Sequence, residues 1–241
     1  GAGITAEEQA AELDLIGQLN RASGVQYPDD PQLRARIRSY ELAAGMQTAV
    51  PEIMNFDGET EATQSLYGLE EDHSRPFGMQ CLAARRMVEQ GVRFVQLYHG
   101  TGSAGSWDAH NDIKRRYDTE APKVDKPIAG LLKDLRQRGL LDETRGVFGT
   151  EFGRTHGAQG TGRNHHPQGF MCWLAGGGIK GGVTHGATDE LGFNAVEDPH
   201  YVTDIHATVL HQLGLDPRRL DVPGRKRIDI HRGTPIQEII A

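Results

Sequence analysis

Apolar residues recur at the three- and four-residue spacing of a helix in several stretches of the chain. This spacing predicts helices over residues 5–21, 29–48, 76–90, 119–138 and 200–215. Local start signals accompany the first two helices. Thr5 and Glu8 form a capping-box pattern, and Asp30-Pro31 suits the beginning of the second helix.

Short apolar runs between the later helices predict strands over 93–98, 145–150 and 169–175. Helices and strands alternate along this half of the chain, which is typical of a parallel sheet covered by helices. Ligands bind such sheets where loops leave the carboxyl ends of the strands. The pattern therefore predicts an α/β fold with its site in the loops at 99–111 and 151–168.

Composition narrows the possible partners. The chain has 26 basic and 33 acidic residues, a net charge of −7, and no block of like charge, which disfavours nucleic acid as a partner. No run of 18 apolar residues is present, so no membrane span is expected. Cys81 and Cys172 are far apart, and we interpret them as buried small hydrophobic residues.

Three polar clusters follow the predicted strands, at residues 107–112, 151–155 and 162–167. Each cluster combines carboxylates or imidazoles, the ligands of Zn²⁺ and similar ions, and an arginine in the second and third offers donors for an oxyanion. Each also has an ordinary explanation as a helix cap, an ion pair between Glu151 and Arg154, or loop histidines. Their occurrence at three strand ends favours a site.

No activated nucleophile is evident beside these clusters. Ser103 and Ser106 lie in a glycine-rich stretch without a recognisable base, and the chain has neither a G-x-S-x-G elbow nor a P-loop. The remaining candidate histidines are weaker, and they are His99, His156, His185, His206 and His211.

Several uncommon short motifs follow one another along residues 66–232. They include Trp107-Asp108-Ala109-His110, Glu151-Phe152-Gly153-Arg154-Thr155, Gly162-Arg163-Asn164-His165-His166 and Gly186-Ala187-Thr188-Asp189-Glu190-Leu191-Gly192. In these motifs the chain resembles the sulfatase-like family catalogued as domain of unknown function 1501, which is similar to the alkaline-phosphatase superfamily. The resemblance implies a three-layer α/β/α sandwich with a mostly parallel sheet, in a protein exported to the periplasm or secreted.

The resemblance also implies roles for individual residues. Asp108 and His110 resemble ligands of one metal, Glu151 resembles the acidic ligand of a second, and His165 resembles a late histidine ligand. Arg154 would face the substrate oxyanion, and the metal would be Zn, Ca, Mg or Mn. The secondary candidates are Asn111, Asn164 and His166. Asn164 replaces an aspartate that the family commonly has, which weakens the expected metal affinity.

The family's first strand, with its metal-ligating aspartate and nucleophile, is not recognisable in residues 1–65, which look helical. We therefore expect a helical segment at 1–65, packed on or inserted in a core at 66–241, and a family domain that lacks its N-terminal part. The expected function is metal-dependent hydrolysis of phosphate or sulfate esters of small molecules or glycans. The alternative is a non-catalytic exported domain that keeps the fold for binding or structure.

Overall fold

The computed structural model describes residues 5–26, 30–100, 106–216, 219 and 233–241. Ser103, which the sequence did not support as a nucleophile, lies outside these residues. The chain divides into two compact units, residues 1–58 and residues 59–241. The predicted role of 1–65 as a segment packed on or inserted in the core stays a prediction.

The described residues of the first unit form two helices, α1 (Ala6–Gln26) and α2 (Pro31–Ile53). The predicted capping box is present, since the Thr5 amide donates to a Glu8 carboxylate oxygen at 2.8 Å and the Glu8 amide donates to Thr5 Oγ1 at 3.2 Å. Asp30 Oδ1 accepts the amides of the first turn of α2 at 2.9 and 3.0 Å. Both predicted helices are confirmed.

The second unit begins with helices that enclose its core. They are α3 (Glu61–Leu66), α4 (Arg75–Glu89) and α5 (Ile113–Gln137), followed late in the chain by α6 (Val202–Gln212) and a C-terminal 3₁₀ helix (Gln237–Ile239). Helix α4 packs along α5, and the side chains of Tyr67, Leu82 and Leu135 are buried between these elements. Burial raises the pKa of the Cys81 thiol to about 12, as expected for a packing residue.

A charge network is buried in this helical core. The Arg85 guanidinium contacts carboxylate oxygens of Glu59 at 2.7 Å, Glu89 at 2.7 Å and Asp134 at 3.0 Å. The Tyr67 hydroxyl donates to Asp134 at 2.9 Å. We call Arg85 with these three acidic residues the Arg85 network. Because several carboxylates surround one buried cation, the network ties α4 to α5 and to the segment before α3.

The strands of the second unit are short. They are β1 (Arg145–Phe148), β2 (Gly153–Gln159), β3 (Gly162–His166), β4 (Trp173–Gly176), β5 (Ala187–Thr188) and β6 (Ala195–Glu197). They form three antiparallel pairs, β1 with β4, β2 with β3, and β5 with β6. The predicted strands at 145–150 and 169–175 correspond in part to β1 and β4.

The predicted three-layer α/β/α sandwich with a mostly parallel sheet is wrong. Two parallel neighbours need a crossover connection, usually a helix, between them. The chain between β1 and β4 instead turns back on itself as the β2–β3 hairpin, and β4 returns antiparallel to β1. Within the described residues the strands therefore form separate two-stranded sheets.

The predicted strand at 93–98 is also wrong. This segment follows α4 without joining any of the described sheets. Phe94 and Tyr98 are 66% and 72% exposed, so the apolar run lies on the surface of the unit. An apolar run forms a strand only if a neighbouring strand is available to pair with it, and the apolar pattern does not show whether one is.

Candidate metal centre

The β2–β3 hairpin aligns two of the predicted site residues. Its turn is Gly160-Thr161, with Gly160 at φ 59°, a value that favours glycine at the first turn position. The register pairs Arg154 with His165 on neighbouring strands. Directly opposite residues project to the same face of a sheet, so a guanidinium and an imidazole share one face of the hairpin.

The loop before α5 is held against this hairpin by backbone contacts. The Arg163 amide donates to the Ala109 carbonyl at 3.0 Å, and the Asp112 amide donates to Thr161 Oγ1 at 2.9 Å. Gly162 makes this approach possible, because a Cβ there would overlap the backbone of residues 109–111. Glycine at position 162 therefore has a steric role, which is to let the loop before α5 approach the hairpin.

This docking brings four side chains to one point. Asp108 Oδ1 lies 2.6 Å from Arg154 Nη2, 2.9 Å from His165 Nε2 and 3.0 Å from His110 Nε2. One ligand atom from each of Asp108, His110 and His165 lies within 4.8 Å of the others. We call Asp108, His110, Arg154 and His165 the Asp108 cluster. Ligand residues from two of the three predicted clusters and the strand residue Arg154 from the other thus meet, whereas Glu151, which was expected to join them, is not in the group.

The surroundings of Asp108 favour its ionised form. The hydrogen bond with His165 lowers the pKa of this carboxyl most, and although its partial burial raises that pKa, Arg154 lowers it further. The net direction is below the ordinary value of 3.8. Asp108 is therefore an anion at neutral pH, which is the form that ligates a cation.

Gln159 supports the cluster and was not identified in the sequence. Its Oε1 accepts a hydrogen bond from His110 Nδ1 at 2.6 Å. With the proton on Nδ1, the Nε2 of a neutral His110 presents a lone pair to the Asp108 carboxylate. Two acceptors 3.0 Å apart repel each other unless a proton or a metal cation lies between them. A partner for the second ring nitrogen is a regular feature of metal-bound histidine.

Arg154 is anchored by the protein on several sides. Besides Asp108, its guanidinium donates to the Arg163 carbonyl at 3.2 Å and to the Trp107 carbonyl at 3.4 Å. Arg163 in turn donates to the Thr155 carbonyl at 3.0 Å. The Arg154 guanidinium is therefore held in place beside the Asp108 carboxylate, and the Arg163 side chain supports the hairpin backbone.

Four predicted residues lie outside the cluster or at its edge. Glu151 is exposed, its carboxylate accepts from the Thr150 hydroxyl at 3.0 Å, and it is not among the grouped ligand atoms. His166 is buried and its Nε2 contacts the Phe193 carbonyl, because neighbouring strand residues face opposite sides. Asn164 Oδ1 accepts the His165 amide at 2.8 Å, and Asn111 is exposed in the docked loop.

The donor set decides which metals suit the cluster. Two imidazoles and one carboxylate match catalytic zinc sites, where three protein ligands leave a fourth position open. Ca²⁺ and Mg²⁺ prefer oxygen ligands and suit it less. Two ligand atoms of a tetrahedral zinc lie ~3.3 Å apart, so a cation would widen the 2.9 and 3.0 Å separations only slightly. The residues present therefore fit a zinc-like divalent ion.

A family model described as Protein of unknown function (DUF1501) matches residues 1–240. The chain belongs to this family. No curated protein and no solved structure matches the chain. This is the family that the short motifs indicated, so that part of the resemblance is confirmed.

Two further expectations drawn from that resemblance do not survive. The family model matches from residue 1, so the prediction that the chain lacks the N-terminal part of the family domain is wrong, as is the limit of the match at 66–232. The link to the alkaline-phosphatase superfamily is not shown by any comparison, and the antiparallel strand pairs contradict its sandwich fold.

Among the helices that the structure describes, none combines the length and the apolar character needed to cross a membrane. An exported location and the absence of a nucleic-acid partner stay predictions.

Proposed function

We propose that this protein is a metal-dependent hydrolase of phosphate or sulfate esters, with the Asp108 cluster as its active site. The observation that carries the proposal is the convergence of His110 Nε2, His165 Nε2 and Arg154 Nη2 on one oxygen of Asp108. Such an arrangement combines three metal ligands with an adjacent guanidinium. These are the parts that hydrolysis of an anionic ester requires.

The charges of the cluster favour an anionic substrate. The positive charge of Arg154 and the negative charge of Asp108, 2.6 Å apart, cancel each other. A divalent cation held by Asp108 and neutral imidazoles would therefore leave the site with two positive charges. A phosphate or sulfate ester brings the compensating negative charge, whereas a neutral ester or peptide does not.

The protein residues have separate tasks in this proposal. Asp108 and the two imidazoles bind the cation, and Gln159 orients the His110 ring through the 2.6 Å contact at Nδ1. Arg154, held by carbonyls on its other edges, offers a fixed guanidinium beside the bound anion. When bound, the metal would supply charge stabilisation and would lower the pKa of a water molecule at the site.

The test is an assay of purified protein with aryl phosphate and aryl sulfate esters, before and after addition of Zn²⁺ or Mn²⁺. We expect turnover that depends on added metal. Asp108→Asn and His165→Asn should each lower it by about 100-fold or more, because the metal contributes several kcal/mol. His156→Asn is the matched control, since His156 is exposed on the same hairpin. Turnover unaffected by Asp108→Asn would refute the assignment.

A second candidate function rests on the anchoring of Arg154. Its guanidinium already donates to Asp108 and to two backbone carbonyls, which is also the arrangement of a structural ion pair. The domain would then bind a sulfated or phosphorylated glycan without hydrolysing it. Glycan binding that persists in the presence of a chelator, together with absence of turnover in the ester assay, would favour this alternative over the hydrolase.

A further inference from the structure

A second group of ligand side chains combines residues around the β5–β6 pair with one residue close to the C-terminus. It consists of His185, His200 and Glu238, whose ligand atoms lie within 4.8 Å of one another. We call these residues the His200 cluster. They are separated widely in sequence, so their convergence depends on how the chain folds.

The β5–β6 pair brings the two histidines together. Ala187 pairs with Glu197 and Thr188 pairs with Ala195, so the chain enters and leaves this hairpin side by side. The turn is braced by Asp189, whose carboxylate accepts two backbone amides at 2.7 and 2.9 Å. His185 precedes the first strand and His200 follows the second, so the pairing sets the distance between them.

Backbone hydrogen bonds fix the position of Glu238. The Lys180 amide donates to the Ile239 carbonyl at 2.9 Å, and the Ala241 amide donates to the Gly178 carbonyl at 3.1 Å. Lys180 Nζ also donates to the Glu238 carbonyl at 3.0 Å. The last residues of the chain are thereby held against the segment that leads into His185, and the Glu238 carboxylate is brought to the histidines by the main chain.

The two imidazoles face each other through their ε nitrogens. His185 Nε2 lies 2.9 Å from His200 Nε2, and the ring planes meet at 33°. Two nitrogens bound to one tetrahedral zinc lie ~3.3 Å apart. A separation of 2.9 Å is therefore close to the one that a shared metal requires, and a small rotation of either ring would reach it.

Asp204 orients one of these rings from the other side. Its Oδ2 lies 3.6 Å from His200 Nδ1. The carboxylate is itself fixed, because it accepts the Thr234 amide at 2.8 Å and the Tyr201 amide at 2.9 Å. At 3.6 Å this is an electrostatic contact and not a hydrogen bond, and a negative charge on that side favours the tautomer with its proton on Nδ1 and its lone pair on Nε2.

We propose that His185, His200 and Glu238 form a second binding site for a zinc-like divalent ion. Two imidazoles and a glutamate are an established zinc donor set, and imidazole ligands favour Zn²⁺, Cu²⁺ or Ni²⁺ over Ca²⁺ and Mg²⁺. The ion links the C-terminal 3₁₀ helix to the β5–β6 hairpin and to the start of α6. It therefore stabilises the attachment of the chain's last residues, since binding to the folded state alone favours that state.

The test uses the full chain carrying Asp108→Asn, which removes the carboxylate of the first cluster. Zn²⁺ binding is measured by competition with a chromophoric chelator, and bound zinc is counted after dialysis. We expect about one zinc per chain with this variant. Adding His200→Asn or His185→Asn should weaken the remaining binding by at least about 100-fold, more than loss of an outer partner costs. His211→Asn, an exposed histidine on α6, is the matched control and should leave binding unchanged.

Glu238→Gln guards against a folding artefact. The Glu238 side chain is exposed and its backbone carbonyl, which holds Lys180, is retained in this variant. We expect unchanged stability without metal and weaker Zn²⁺ binding with it. If the Asp108→Asn protein binds no zinc, or if these three variants bind it as tightly as His211→Asn, the two histidines are only a hydrogen-bonded pair. If instead the first site does not bind zinc, the Asp108→Asn protein will bind as much zinc as the wild-type protein. The two failures are therefore distinguishable.

Discussion

Two charged clusters in the second unit are opposite in sign and in exposure. In the Arg85 network one cation meets three carboxylates, and the Arg85 side chain is only 4% exposed. In the Asp108 cluster one carboxylate meets a guanidinium and two imidazoles, and those imidazoles are 37% and 44% exposed. The first cluster is sealed between helices, whereas the second opens to solvent.

The difference lies in what completes each cluster. Arg86 and Arg138 also contact the carboxylates around Arg85, at 3.2, 3.0 and 2.7 Å, so the protein balances the charges with its own side chains. At Asp108 a neutral His110 with its proton on Nδ1, towards Gln159, presents an acceptor nitrogen to a carboxylate. The helical network is therefore structural, whereas we propose that a cation from solvent completes the open cluster.

The largest expected effect comes from breaking the sealed cluster. Arg85→Met leaves buried carboxylates without their central cation and should lower the free energy of unfolding by about 3–5 kcal/mol. Urea denaturation followed by circular dichroism measures this loss. The matched control is Arg115→Met, which removes an exposed pair with Asp112 and should cost at most about 1 kcal/mol. Equal effects of the two substitutions would mean that burial does not separate the clusters.

The next effect tests how the open cluster is assembled. Gly162→Ala places a methyl group against the backbone of 109–111, which should cost about 1–3 kcal/mol and push Asp108 away from His165. We expect Zn²⁺ binding at the Asp108 cluster to be lost while the helical core stays folded. Gly157→Ala on the same hairpin is the control, because a Cβ there meets open space. Both variants are measured in a chain that also carries His200→Asn, which removes the second cluster, and zinc binding retained in Gly162→Ala would then contradict the docking argument.

A smaller effect is expected at the residue behind His110. Gln159→Ala removes the acceptor at His110 Nδ1 and should weaken Zn²⁺ binding by about 10- to 100-fold, the usual cost of losing an outer partner. Stability without metal should change little, since Gln159 is exposed. Calorimetric titration with Zn²⁺ in a chain that also carries His200→Asn measures the change, and Gln168→Ala, at an exposed glutamine after β3, serves as the control. An unchanged affinity would show that the Gln159 contact does not orient the ligand.

The pH dependence of stability gives the smallest and most specific signal. The pKa of Asp108 is lowered by His165 and Arg154, so its ionised form stabilises the fold above the ordinary value of 3.8, and this stabilisation disappears as the pH falls through the lowered pKa. Relative to Asp108→Asn, the wild-type protein should therefore lose stability below pH 3.8. Urea denaturation of both proteins between neutral and acid pH checks the sign. A constant difference would contradict it.

The sequence predicted what is set locally. Helix α2 begins at Asp30-Pro31 because an N-cap and a proline act within one turn, and α4 follows its apolar spacing closely. The pairing of strands was not predictable in the same way. Alternation of helices and strands suggested a parallel sheet, yet Gly160-Thr161 forms a hairpin turn whose signal lay within a segment interpreted as a loop.

The candidate site residues were likewise predictable from the sequence only in part. Residue type indicated the polar clusters, the family resemblance singled out Asp108, His110, Arg154 and His165 within them, and the fold brings these four together. Glu151 could not be separated from them by sequence, because its distance from Asp108 depends on how the hairpin leaves β1. The His200 cluster was missed for a related reason. His185 was a weak candidate, and neither spacing nor motif connects it to Glu238, which only the fold of the last residues brings near.

The central claim is that Asp108, His110 and His165 together hold one divalent ion. X-ray absorption at the zinc edge tests it most directly, on Zn²⁺-loaded protein carrying His200→Asn so that only the first cluster contributes. The account predicts nitrogen and oxygen ligands at about 2.0–2.2 Å with the scattering of two imidazoles, and loss of the bound zinc when Asp108→Asn is added. Zinc that stays bound with the same ligand shell after that second substitution would contradict it.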